Sequence, residues 1–148
     1  MSNTHKSERL APVARIADHR ERIAAQEFGR LQENLAEEEL RLAEMRAWWV
    51  EYAQGLEQQP GNGSSVMREG RLFLAQLNSA IERQRSTVDT ARRTLEAGRA
   101  RWLASRMDHE ALEKIVARYR QEEGHAARRS EQREQDECAA RCLRPESS

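Results

Sequence analysis

The feature that most constrains this chain is a seven-residue apolar repeat on either side of one cluster of helix breakers. Phe28, Leu35, Leu42, Trp49 and Leu56 recur at one position of the repeat, and Leu31, Glu38, Met45 and Tyr52 each follow three residues later. That spacing is the a and d seam of a coiled coil. Pro60-Gly61-Asn62-Gly63-Ser64-Ser65 then breaks it. Beyond the break a longer seam begins. Met67, Leu74, Ile81, Val88, Leu95, Trp102, His109 and Val116 take position a, while Gly70, Leu77, Gln84, Ala91, Gly98, Ser105, Leu112 and Tyr119 take position d. No alternating pattern suggests a strand, and β-branched residues are few.

The predicted fold is therefore all-α: a long antiparallel two-helix coiled-coil hairpin, an elongated rod with a polar C-terminal helical tail. The expected segments are a disordered N-terminus over 1–11, a first helix over 12–58, a loop over 59–65, a second helix over 66–140 and a disordered C-terminus over 141–148. The polar tail should start near residue 120, where the apolar repeat fades. Pro12 suits the first helical residue, where its missing N–H costs nothing, and Ser64 or Ser65 suits the cap of the second helix. Upstream of Phe28, Val13, Ile16 and Ile23 fit a shifted frame, which predicts a stutter near Gln26.

A short loop forces the two helices antiparallel, so their registers can be compared. In the preferred register Phe28 faces Gly98, Trp102 faces Ala24, Leu35 faces Ala91 and Met45 faces Ile81. Large meets small at the first three. Glu39 then flanks Arg85, Glu27 flanks Arg101 and Asp18 flanks Arg106. The polar seam residues Glu38, Gln84 and His109 weaken the seam and can fix its register. The expected seam is carried by Phe28, Leu31, Leu35, Leu42, Trp49, Leu74, Ile81, Val88, Leu95, Trp102 and Leu112.

Composition narrows the function. No run approaches the ~20 apolar residues of a membrane span, so an integral membrane protein is not expected. The 25 basic and 25 acidic residues cancel, and the sequence pI of 6.9 lies below the basic range usual for nucleic-acid binders. No nucleic-acid partner is expected. The polar N-terminus lacks an apolar signal-peptide core, which points to a reducing cytoplasm. Cys138 and Cys142 read as free thiols, since two thiols neither build a disulfide framework nor complete a four-ligand zinc site.

Catalytic signatures are missing. There is no phosphate-binding Gly-rich loop, no His-Glu-x-x-His and no Gly-x-Ser-x-Gly. The single Glu-x-x-His, Glu122 to His125, has no second copy to complete a di-iron bundle. No enzyme activity, cofactor or metal is expected. Two features exceed what a plain hairpin needs. Trp48 and Phe73 fall at the flanking g position beside the seam residues Trp49 and Tyr52, and with Ala80 they form an apolar edge suited either to a contact site or to a wider seam. Charge is segregated too: residues 31–57 hold seven acidic and two basic side chains, while residues 66–106 hold nine basic and four acidic. Attraction within the hairpin accounts for this, as would an acidic partner for the second helix.

The order and spacing of certain residues resemble the flagellar export protein FliJ family over nearly the whole chain. They are Glu51-Tyr52 before the loop, then Phe73-Leu74, Leu77, Ala80-Ile81 and Gln84. Arg99 with Trp102 and Leu112-Glu113-Lys114 continue the pattern. Glu131-Gln132, Asp136-Glu137, Ala139 and Arg141 end it. The resemblance implies a non-enzymatic stalk of the flagellar type III export apparatus, similar to the rotor stalk of rotary ATPases. The end bearing both termini would engage the export ATPase hexamer. The membrane export gate would be met toward the loop, through Met45, Trp48, Tyr52, Phe73, Leu77, Ala80 and Gln84. Export chaperones are a further implied partner. The implied location is the cytoplasm, peripherally at the inner face of the cell membrane at the flagellar base. The equivalent stalk of a virulence-type secretion system and a structural coiled-coil scaffold are the alternative readings.

Overall fold

A computed structural model of the protein describes residues 5–58 and 64–143. Two helices account for almost all of them: α1, Lys6–Glu57, and α2, Ser64–Leu143. They pack against each other as an antiparallel helical hairpin, and no strand is present among the described residues. The chain divides into two compact units. One combines residues 1–22 with 104–148, and the other is the continuous stretch 23–103.

The helix bounds extend past those expected. α1 starts at Lys6, so residues 6–11, expected to be disordered, are helical and Pro12 lies inside the helix. Pro12 offers no N–H to the carbonyl of Glu8, a defect of about 3 kcal/mol in a helix interior. The first turn survives because tertiary contacts hold it. Ser7 is buried against α2 and bonded to Glu123, and the Lys6 ammonium lies 5.4 Å from the centre of the Tyr119 ring. α2 begins at Ser64 rather than Val66 and continues through residues 141–143. Of the expected loop at 59–65, residues 64–65 are helical and residues 59–63 lie outside the described residues, as do the outermost residues 1–4 and 144–148.

In α1 the seam keeps one frame throughout. Ser7, Leu10, Ala14, Ala17, Glu21 and Ala24 are shielded in the same three-and-four spacing that Phe28, Leu31, Leu35, Glu38, Leu42 and Met45 continue. The predicted stutter near Gln26 is absent. Val13, Ile16 and Ile23, which suggested it, are about half exposed. A frame shift would bury these three, but it would turn Ser7 and Glu21 away from their partners on α2. Hydrogen bonding therefore decides what apolar count alone does not. The α2 seam matches the expected positions from Met67 to Tyr119 and gains one more, Glu123.

The unit 23–103 is centred on Leu42, Ile81 and Val88, with Leu35, Met45 and Leu77 packed against them. Val88 is only 2% exposed. Among the expected seam residues, Trp49 and Tyr52 stay exposed, at 36% and 42%. The Trp49 ring lines a shallow groove with Arg46, Val50 and Asn78.

Two facing pairs differ from the expected register. Leu31, rather than Phe28, fills the space at Gly98; a Cβ there would lie 2.5 Å from a Leu31 methyl. Phe28 instead stacks on Trp102, with ring centres 5.6 Å apart and planes within 5°. Gly70 receives Leu56 in the same way as Gly98 receives Leu31, 2.6 Å from the position of a Cβ. Among the flanking charges, Arg92 rather than Arg85 reaches Glu39, at 3.2 Å, and Arg85 pairs within α2 with Glu82. Asp18 pairs with Arg22, and Arg106 with Glu110. Glu27 pairs within α1 with Arg30, at 2.7 Å, and its carboxyl is held below its ordinary range first by that bond and further by the charges of Arg30 and Arg101.

Leu31 and Gly98 should behave as one knob and one hole. Gly98→Leu overfills the seam and should lower stability by about 1–3 kcal/mol. Adding Leu31→Ala to that variant should recover part of the loss, although Leu31→Ala alone is destabilising. Thermal unfolding followed by circular dichroism checks this, and strictly additive losses would refute the pairing.

Candidate functional site

In the unit 23–103, the ends of α1 and α2 next to the breaker cluster carry most of the aromatic surface. Both helices place g-position aromatics there because the seam behind them is already occupied by Leu56, Gly70, Leu74 and Leu77. Tyr52 and Phe73 lie across the helix pair with ring centres 4.6 Å apart and planes tilted by 48°. Trp48, Tyr52 and Phe73 are each between two-fifths and three-fifths exposed. With Leu56, Val66 and Leu77 they line one open apolar groove, edged by Glu51 and Glu69. A shallow, mainly apolar groove with an acidic margin recognises a surface; it encloses no substrate.

The seven residues singled out by resemblance divide in two. Trp48, Tyr52, Phe73 and Leu77 come together in this groove. Met45, Ala80 and Gln84 are not among the residues that line it. Met45 packs against the Leu42, Ile81 and Val88 cluster, and Ala80 is half-buried. Gln84 is buried, and its amide donates to both the backbone carbonyl of Glu38, at 3.1 Å, and the Glu38 carboxylate. That pair satisfies two polar side chains in an otherwise apolar seam. Among the described residues no buried side-chain polar atom lacks a partner.

The second unit contains polar groups that sequence reasoning left scattered. His109 sits in the seam with 15% of its side chain exposed. Its Nδ1 meets the Glu21 carboxylate from α1. Its Nε2 lies 2.9 Å from Glu113 on its own helix and 3.8 Å from Asp18 on α1. A ring with carboxylates at both nitrogens is stabilised as the doubly protonated imidazolium. The hydrogen bond to Glu21 accordingly raises the His109 pKa above the usual histidine value. Burial opposes that rise, and the charges of Glu113, Glu21 and Asp18 add to it. One signal for this cluster was present in the sequence: His109 and Glu113 are four apart, on one helix face. The two α1 partners required the register.

Ser7 and Glu123 were missed for the same reason. The Ser7 backbone N–H and hydroxyl donate to the two oxygens of Glu123, at 3.1 and 2.6 Å. From Ala126 to Leu143 every residue of α2 is exposed. This tail includes the free cysteines Cys138 and Cys142. No helix among the described residues is long and apolar enough to cross a membrane.

A family model described as the flagellar FliJ protein matches residues 5–147 of this chain. No curated protein and no solved structure shows a significant match.

The Ser7 clamp should respond to acid. Burial pushes the Glu123 pKa up, but the hydroxyl and backbone donors of Ser7, with the nearby charges of His5 and Arg120, outweigh it and leave the pKa depressed. A depressed carboxyl stabilises the folded state above its unfolded pKa, and that contribution disappears as pH falls through the folded value. Amide exchange in residues 6–11, corrected for intrinsic rate, should be slow at neutral pH and should accelerate only below the ordinary carboxylate range. Glu123→Gln should exchange faster at neutral pH and lose most of this acid dependence.

Proposed function

This chain belongs to the FliJ family of flagellar proteins, which makes it a component of the flagellar protein-export apparatus, and from that premise we propose that it is the coiled-coil stalk between the export ATPase and the membrane export gate. It works by binding, with no chemical step of its own. The match over residues 5–147 is the observation that carries this reading. The helical hairpin supports it, because two helices joined by a well-packed seam transmit displacement without an enclosed site.

The groove in the unit 23–103 is the proposed gate contact. Trp48, Tyr52, Phe73 and Leu77 present its apolar surface, and Met45, Ala80 and Gln84 complete the proposed contact. Exposed aromatics beside a rigid seam are effective anchors, since burying their rings orders few torsions. The unit containing residues 5–22 and 104–143 is the proposed partner of the ATPase hexamer, and export chaperones are further proposed partners. The protein would then sit peripherally at the inner face of the membrane at the flagellar base. Coupling requires that the groove bind two gate states unequally, because a ligand shifts an equilibrium only by its differential affinity.

Deleting the gene should sharply reduce flagellin in the culture supernatant while flagellin is still made inside the cell, and restoring the gene should return secretion. Unchanged secretion would refute the stalk reading. The combined Trp48→Ala and Phe73→Ala substitutions should weaken binding to the cytoplasmic part of the gate at least about tenfold, as loss of hot-spot aromatics does. Helicity should stay at the parent level because both side chains flank the seam; loss of helicity would assign the two rings to folding.

A further inference from the structure

We propose that His109 is a proton-operated latch in the unit containing residues 5–22 and 104–143: with a proton on each ring nitrogen it ties α1 to α2, and loss of one proton frees the N-terminal turns of α1. This inference concerns the packing of the seam and stands apart from the stalk reading.

The latch rests on where the carboxylates lie. Glu21 on α1 meets Nδ1. Glu113 on α2 and Asp18 on α1 meet Nε2, at 2.9 and 3.8 Å. Each nitrogen thus faces an acceptor that only an N–H satisfies, and a neutral ring has one N–H. Without its second proton the ring must turn a lone pair toward a carboxylate. In a mostly shielded seam position, two acceptors left facing each other are costly. Nε2 is the nitrogen that yields its proton. Glu21 is 24% exposed and Glu113 62%, so the Glu21 bond is the costlier one to break, while Glu113 can turn out to water. Asp18 then loses its attraction to the ring, and α1 keeps one link to His109 in place of two. Little else holds the helices together here, since Ala17 and Val116 are the buried apolar residues of this unit. Turns of helix released from such packing are marginal in water.

Surrounding charge sets the pH at which the latch works. Beside the three carboxylates, Arg15 and Arg22 from α1 and Arg120 from α2 line the groove next to the ring. Arg22 is bound by Asp18 at 3.0 Å, and Arg106, on α2, is bound by Glu110 at 3.0 Å. The carboxylates outweigh the arginines. The bond to Glu21 raises the His109 pKa, burial opposes the rise, and the charges of Glu113, Glu21 and Asp18 add to it. A raised pKa contributes stability that is fully present below the unfolded value and is lost as pH rises through the folded one. The latch therefore holds below the ordinary histidine range, while the carboxylates stay ionised, and opens as pH climbs through the raised value. The Ser7 clamp has the opposite sign and fails in acid, so this unit is held best between the two limits.

The test uses the full-length chain. Nitrogen-15 NMR gives the titration midpoint of the His109 ring in the native protein and in the chain unfolded by urea. Amide exchange, corrected for intrinsic rate, follows residues 14–22 over the same pH range. The native midpoint should lie above the unfolded one. Protection of residues 14–22 should fall as pH passes through the native midpoint, by about tenfold for each pH unit separating the two midpoints, while residues 35–45 keep theirs. Glu21→Gln should lower the midpoint most and Glu113→Gln less, and each should move the loss of protection by the same pH interval. His109→Gln should remove the alkaline loss altogether. A native midpoint at or below the unfolded one overturns the proposal. So does undiminished protection across the titration, or a loss shared equally by residues 35–45. A loss that stays at the same pH in Glu113→Gln while the midpoint moves also overturns it, and that variant changes an exposed side chain, so the fold survives the substitution.

Discussion

Everything in this protein depends on one seam position being kept in phase along α1. From Ser7 to Leu56 the helix presents the same a and d positions to α2, and the residues there are not uniformly apolar. Alanines fill the seam where α2 contributes bulk. Leucines fill it where α2 offers the glycines Gly70 and Gly98. Polar residues occupy it only where a partner completes their hydrogen bonds, as in Gln84 with Glu38, His109 with Glu21, and Glu123 with Ser7. Each polar pair forms in one register alone. Together they specify alignment, which a plain leucine seam leaves free to slip by a heptad.

The two units use the seam differently. The unit 23–103 has an apolar centre at Leu42, Ile81 and Val88, so its stability comes mainly from removing hydrocarbon from water. Its aromatic groove is peripheral to that centre. Residues there can change partner without unpacking the core, a suitable property for a contact surface. The unit containing residues 5–22 and 104–143 buries fewer large side chains, with Ala17 and Val116 its buried apolar residues. Hydrogen bonds and ion pairs across the helices contribute more there, and such contacts respond to protons and ions. Electrostatic conditions should therefore act on this unit before they act on the other.

Most of the surface charge contributes little to alignment. Arg30 with Glu27, Arg85 with Glu82 and Arg22 with Asp18 are exposed pairs within one helix, worth only tenths of a kcal/mol in general. The attraction expected between an acidic α1 and a basic α2 is realised directly at Arg92 and Glu39. Helical spacing explains this outcome: a partner three or four residues away is always within reach, whereas a partner on the other helix must also match in register.

The helical hairpin, the frame of α2 and the later seam of α1 were all legible in the sequence, because heptad spacing has few structural solutions. The edge position of Trp48 and Phe73 was legible too, since it follows from the frame alone. Three things were decided only by tertiary structure. The frame of the first α1 turns was one, because Val13, Ile16 and Ile23 gave a stronger apolar pattern than the serine, alanines and glutamate that pack there. The pairing of Leu31 with Gly98 and Phe28 with Trp102 was another, because side chains interdigitate between layers and do not meet head-on. The gathering of Asp18 and Glu21 around His109 was the third. Residues about ninety positions apart in the chain become neighbours only when two helices settle on one register, and that choice belongs to the packed seam.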